Sequence, residues 1–125
     1  MGEMSNDDLF QAYEETTIDI IQSENQLKDL GWDEYFVITA WNPFSEPLSL
    51  DENRRRNSEL EKDLLGLRAD LVKAIGRSDD WKWFEESFAV RNIDVNEIVQ
   101  KAKKYEQNAI FQITTEGRKV ISCRD

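Results

Sequence analysis

Tyr35-Phe36-Val37-Ile38-Thr39-Ala40-Trp41, followed at once by Asn42-Pro43, is the stretch on which the fold turns. Its residues are apolar on both faces of an extended chain. It therefore reads as a strand covered on both sides, and so central in a sheet. Asn42-Pro43 ends it, because proline brings no N–H to a ladder.

Downstream, the loop from Phe44 to Leu48 leads to Ser49-Leu50-Asp51-Glu52, a capping-box pattern that starts a helix. Ser49 and Glu52 are read as structural capping residues. Leu60, Leu64 and Leu67 form the apolar stripe of that helix. Followed backwards at helical spacing, the stripe passes through Asn57 and Asn53, so the first turns aim amides at the interior. Leu71 to Gly76 reads as a strand and Arg77 to Asp80 as a turn. Trp83 to Val90 reads as a second strand, with Phe84, Phe88 and Val90 on one face and Glu85, Ser87 and Ala89 on the other. Asp94, with Glu97 three residues on, caps a helix that turns Val95, Ile98, Val99 and Ala102 inward and runs to about Tyr105. Asn108 to Ile113 and Arg118 to Ser122 form a hairpin around Thr115-Glu116-Gly117.

Upstream, Leu9, Phe10 and Tyr13 sit at helical spacing behind Asp7 and Asp8. Thr16 to Ile21 reads as a strand, a helix continuing through Ile21 being the other reading. Residues 22–33 are polar, with Gly31 as a breaker. The expected order is α-β-β-α-β-β-α-β-β. The fold class is α/β (α+β), a single domain over residues 1–125. It has one mixed sheet of about five to six strands with two main helices packed on it. The four tryptophans, Trp32, Trp41, Trp81 and Trp83, are expected in the core or as its lid.

Composition bounds the function. A chain of 125 residues has room for one core. The net charge of -10 repels phosphate backbones and anionic bilayers, which disfavours nucleic acid and membrane surfaces as partners. The one basic run, Arg54-Arg55-Arg56, is neutralised by Asp51, Glu52, Glu59 and Glu61. There is no histidine, which excludes Ser-His-Asp and Cys-His catalysis and histidine-ligated zinc within this chain. The single cysteine, Cys123, cannot form an internal disulfide. No apolar run approaches the roughly 18 residues of a membrane span, and the acidic start lacks a secretory h-region. A cytoplasmic setting is expected.

Four segments put polar groups where a simple core would not. They are Thr39 to Pro43, Ser49 to Asn53, Glu85-Glu86-Ser87 and Gln107-Asn108. Sheets of this kind place ligands outside strand ends, and a helix start near Asn42 points N–H groups at the same spot. If these segments converge, Thr39, Asn42, Asn53, Glu85, Ser87, Gln107 and Asn108 line a polar or anion pocket at the end of strand 35–41. Each also has a structural reading: a strand stop at Asn42-Pro43, backbone hydrogen bonds from Asn53, a helix C-cap at Gln107-Asn108.

The segments LFQAY (9–13), FVITAWNP (36–43), PLSLDEN (47–53), EESFAV (85–90) and EQNAIF (106–111) occur in this order. Together they resemble the bacterial domain-of-unknown-function family 3293 over nearly the whole chain. The resemblance implies that Thr39, Asn42, Pro43, Ser49, Glu52, Asn53, Glu85, Ser87, Gln107 and Asn108 stand at the family's motif positions. It implies no activity. The stretch Arg68 to Trp83 departs from the proline- and glycine-rich segment associated with the family.

The function expected from these features is a binding or protein-interaction module, with a protein partner or self-association. No metal site or cofactor is expected. The alternative is a small carboxylate-dependent enzyme, with or without magnesium, acting on a phosphate- or amide-containing substrate.

Overall fold

The computed structural model describes residues 15–20 and 31–124. The expected first helix, at Leu9 to Tyr13, and most of the polar stretch before Trp32 lie outside the described residues. The elements in chain order are β1 (Thr17–Ile20), β2 (Tyr35–Ile38), a 3-10 turn (Pro43–Ser45), α1 (Leu50–Gly66), β3 (Asp70–Arg77), β4 (Phe84–Arg91), α2 (Val95–Lys104), β5 (Ala109–Thr114) and β6 (Gly117–Ser122). The fold is α+β, with one six-stranded sheet in the order β1-β3-β4-β2-β5-β6.

Among the described residues every strand pairing is antiparallel, so the sheet is not the mixed one expected from two helical crossovers. Topology explains this. Helix α1 joins β2 to β3 and α2 joins β4 to β5, and each pair runs in one direction. In each case another strand lies between them, β4 in the first and β2 in the second. The inner six elements thus form the split β-α-β arrangement of ferredoxin-like folds, with β1 and β6 added at the edges. The sheet curls enough for the Arg118 guanidinium on β6 to donate to the Thr16 carbonyl beside β1.

Both helices cover one face. Leu60 and Leu64 of α1 and Ile98 and Ala102 of α2 pack on Phe36, Ile38, Phe88, Val90 and Ile110, and most of these side chains are sealed from solvent. Fully burying one such aliphatic side chain contributes about 1.5–3 kcal/mol. The opposite face carries a smaller cluster, with Trp32 and Ala89 packed against Ile20, Tyr35 and Val72. The central strand is covered on both sides, and β4 sends Phe88 and Val90 to the helix face and Ala89 to the other, while Phe84 at its start is exposed.

Helix ends follow local chemistry. Ser49 Oγ accepts from the Glu52 N–H at 3.2 Å, and the Asp94 side chain accepts from Asn96 N–H at 3.0 Å, one residue earlier than a capping box requires. Helix α2 stops in a Schellman turn: Glu106 N–H donates to Lys103 O and Gln107 N–H to Ala102 O, with Glu106 in the left-handed region (φ 59°). Left-handed Glu106, rather than Asn108, makes the turn, which frees the Gln107 side chain for another task. Two tryptophans depart from expectation. Trp32 and Trp41 are buried, but Trp81 and Trp83 stand in or beside the β3–β4 turn and are 51% and 41% exposed.

Candidate functional site

Strand β2 ends at Ile38, three residues before Trp41. Up to that point it pairs with β4, Ile38 facing Phe88. Beyond it the two chains are wedged apart by side chains. The Asn57 carboxamide of α1 accepts the Ala40 N–H at 2.8 Å and donates to Glu86 O at 2.8 Å. The Thr39 hydroxyl donates to the same Glu86 carbonyl at 2.6 Å and accepts from Trp41 N–H at 3.1 Å.

The backbone of Ala40 to Asn42 is satisfied group by group in this way. Arg56 Nε donates to Ala40 O at 2.6 Å, and its other nitrogen reaches Tyr105 O. Gln107 Nε2 donates to Trp41 O at 2.9 Å. The Asn42 N–H donates to Asn53 Oδ1 at 2.9 Å, and Asn53 Nδ2 returns a bond to Asn42 Oδ1, also at 2.9 Å. Only Asn42 O uses a backbone partner, the Ser45 N–H at 2.8 Å. Buried backbone groups must be paired, and here side chains from α1 and from the end of α2 do what a neighbouring strand does elsewhere.

After this segment the chain takes an uncommon path. Asn42, Phe44 and Ser45 all adopt left-handed φ, at 49°, 48° and 66°. Asparagine tolerates this region, whereas for phenylalanine it is an outlier. The strap is held by Asn42 Oδ1, which accepts Leu48 N–H, by the Phe44 N–H donating to Glu106 O, and by Asn108 Nδ2 donating to Ser45 Oγ at 3.0 Å. Arg124 donates to Asn108 Oδ1 at 3.2 Å and ties the C-terminal segment to the same corner.

Thr39, Asn42, Asn53, Glu85 and Gln107 are thus brought together around Ala40–Asn42. Ser87 touches the group through its hydroxyl, which donates to Glu85 O at 3.0 Å, and Asn108 joins at the strap. Ser49 and Glu52 remain a helix cap. Most of the amide capacity is spent on backbone. The first turn of α1 presents Asp51 and Glu52, whose charges oppose an anion there. Arg56 and Asn57 are additional members. Asn57, on the leucine stripe one turn after Asn53, is read from the sequence as an inward-facing amide but is not among the expected pocket residues. Nothing in the sequence singles out Arg56.

Glu85 differs from its neighbours. Its carboxylate accepts from Asn42 Nδ2 at 2.9 Å, and burial pushes its pKa up to about 7 against the lowering effect of that amide. Beside it, Trp41, Phe84 and Trp81 form an aromatic ladder with ring centroids 5.6 and 6.5 Å apart, and Arg77 stacks on Trp81 at 4.3 Å. The Trp41 indole N–H is buried without an acceptor among the described residues.

Two open volumes lie nearby. The larger, about 830 Å³, is a wide cleft where the sheet edges curl together, between Thr16–Ile18 and Arg118–Val120. The smaller, about 400 Å³, is a groove between α1 and the β3–β4 pair. Its helix wall carries Arg54, Asn57, Ser58 and Glu61, and its sheet wall Lys73, Ile75, Glu86 and Phe88. Arg54 and Glu86 close one end as a two-bond ion pair at 2.9 and 3.2 Å. Among the described residues no three histidine, cysteine, aspartate or glutamate side chains gather into a metal-binding group, and no helix is long and apolar enough to cross a membrane.

Residues 38–110, more than half of the chain, match the family described as "Protein of unknown function (DUF3293)". The chain belongs to this family. Comparison with curated proteins and with solved structures gave no match. The matched segment takes in the wedge, the strap, Glu85, Gln107, Asn108 and every residue lining the smaller groove. Of the larger cleft it takes in only Asp79.

Proposed function

We propose that this member of the family is a non-catalytic binding module that holds a small polar ligand in the groove between α1 and β3–β4. The groove is the observation that carries the reading. It has the volume of a small-molecule site and an apolar floor of Ile75 and Phe88. Its walls bear Lys73 and Glu61, which have no ion-pair or hydrogen-bond partner among the described residues. The polar cluster at the end of β2 adjoins it and acts as its frame: Asn57, whose amide bonds both Ala40 N–H and Glu86 O, belongs to both. The larger cleft has less support, since it lies almost wholly outside the segment that defines the family.

A heteronuclear NMR titration with a fragment set covering neutral, anionic, cationic and zwitterionic classes tests this. Shifts centred on Ser58, Ile75 and Phe88 are expected. Shifts centred on Thr17 and Lys119 would move the site to the curled edge.

The second reading, a carboxylate-dependent enzyme, draws on Glu85. A carboxyl whose pKa is about 7 is suited to taking and giving protons near neutrality. This reading requires turnover that is lost in Glu85→Gln while binding in the groove persists.

A further inference from the structure

The charges on the groove walls select among ligand classes. Arg54 and Glu86 neutralise each other, which among the described residues leaves one cation, Lys73 on β3, and one anion, Glu61 on α1, on opposing walls. Lys73 stands opposite Phe88 in the strand register and Ile75 opposite Glu86, so Lys73 springs from the strand beside the apolar floor. A phosphate would gain Lys73 and meet the repulsion of Glu61. A simple cation would gain Glu61 and meet Lys73. A neutral ligand could hydrogen-bond to either group but would offset neither charge. A molecule carrying one charge of each sign, with an apolar portion, complements both walls and the floor.

We infer that the groove binds a zwitterion of the α-amino-acid class with an apolar side chain, its carboxylate accepting from Lys73, its ammonium donating to Glu61 and its side chain lying on Ile75 and Phe88. The Ser58 hydroxyl, on the same helical stripe as Glu61, completes the polar edge. The inference rests on the groove being the binding site. Charge-assisted bonds of this kind are the stronger ones, and partial shielding inside a groove strengthens them further.

The test is an NMR titration of the full chain with free L-amino acids at millimolar concentration. The tightest binder is then compared with its N-acetyl and methyl-ester derivatives. Free amino acids with apolar side chains should shift Ile75, Phe88 and their neighbours, and each derivative should bind about tenfold more weakly, the loss of one charge-assisted contact. Lys73→Met should abolish the discrimination against the ester, and Glu61→Gln the discrimination against the N-acetyl form. Neither side chain has a structural partner among the described residues, so both variants should fold, as circular dichroism would show. Derivatives that bind as tightly as the free amino acid would overturn the zwitterion assignment and leave the groove standing. Failure of every charge class of fragment to shift the groove residues would overturn the groove reading itself.

Discussion

The Asn57 carboxamide stands between Ala40 and Glu86 in the place of a peptide group, accepting from one backbone and donating to the other. A side chain from the helix has been inserted into the gap where β2 leaves β4. Asn57→Ala would strand a buried N–H and weaken the hold on a carbonyl, at about 1–3 kcal/mol per unsatisfied group. A loss of about 2–4 kcal/mol in urea unfolding is expected. Asn57→Asp should be worse, since it cannot donate to Glu86 O and adds a buried charge. A change below about 1 kcal/mol in Asn57→Ala would show that the wedge is not structural.

Glu85 should make the protein less stable as pH rises. Its pKa in the folded chain, about 7, lies above the ordinary carboxylate value of 4.5, so the native state holds more protons between those values. Stability from this group is fully present below the lower value and is lost as pH climbs through the higher one. The loss is about 3 kcal/mol at alkaline pH, taking 1.36 kcal/mol per pK unit. Glu85→Gln keeps an acceptor for Asn42 and removes the charge. It should raise the melting temperature at alkaline pH and change little in mild acid. A constant offset at all pH values would contradict the burial of this carboxyl.

Asp63 should act with the opposite sign. Hydrogen bonds from Lys104 and the Tyr105 hydroxyl, each at 2.7 Å, hold its pKa below the usual range. Its contribution is present at neutral pH and disappears as pH falls through that lowered value. Asp63→Asn should therefore be less stable than the parent at neutral pH and converge with it in acid, as thermal melts across the acid range would show.

Trp41→Phe removes an indole N–H that has no acceptor among the described residues. The change should cost less than the 3–5 kcal/mol typical of losing a buried aromatic, because packing against Phe84 is largely kept and an unsatisfied donor is removed. A cost of about 1 kcal/mol in denaturant unfolding is expected. A loss as large as that of Trp41→Ala would mean that the indole N–H has a partner.

The β5–β6 hairpin, the capped helices and the central strand could be read from the chain because they depend on near neighbours. Ser49 and Asp94 announce helix starts within a few residues, and Phe36 to Ile38 announces burial by pattern alone. The strand order could not be read in this way. That each helix joins strands with another strand between them is decided by which faces fit, and the hydrophobic period is the same for a mixed and an antiparallel sheet. Strand β2 ends at Ile38, before the apolar pattern does, for a related reason: Ala40 and Trp41 are as apolar as the strand before them, and what stops the pairing is Asn57, 17 residues on from Ala40. Most of the pocket residues named from the sequence are linked by hydrogen bonds around Ala40–Asn42, and of them only Ser87 lines the smaller groove. Their hydrogen-bond partners, mainly backbone groups, are a property of three dimensions. The groove was invisible because Glu61 and Lys73 look like ordinary solvated charges until the helix is laid over the sheet.

Ala40 to Asn42 take their partners from residues 53–57 on one side and 107 on the other. Apart from the local bonds Trp41 N–H to Thr39 and Ser45 N–H to Asn42 O, this stretch is held by distant partners, and it can settle only after both helices have docked. It should therefore form after the rate-limiting step of folding. Substitutions here would speed unfolding and leave the refolding rate nearly unchanged, whereas changes at Leu64 or Val90 would slow refolding.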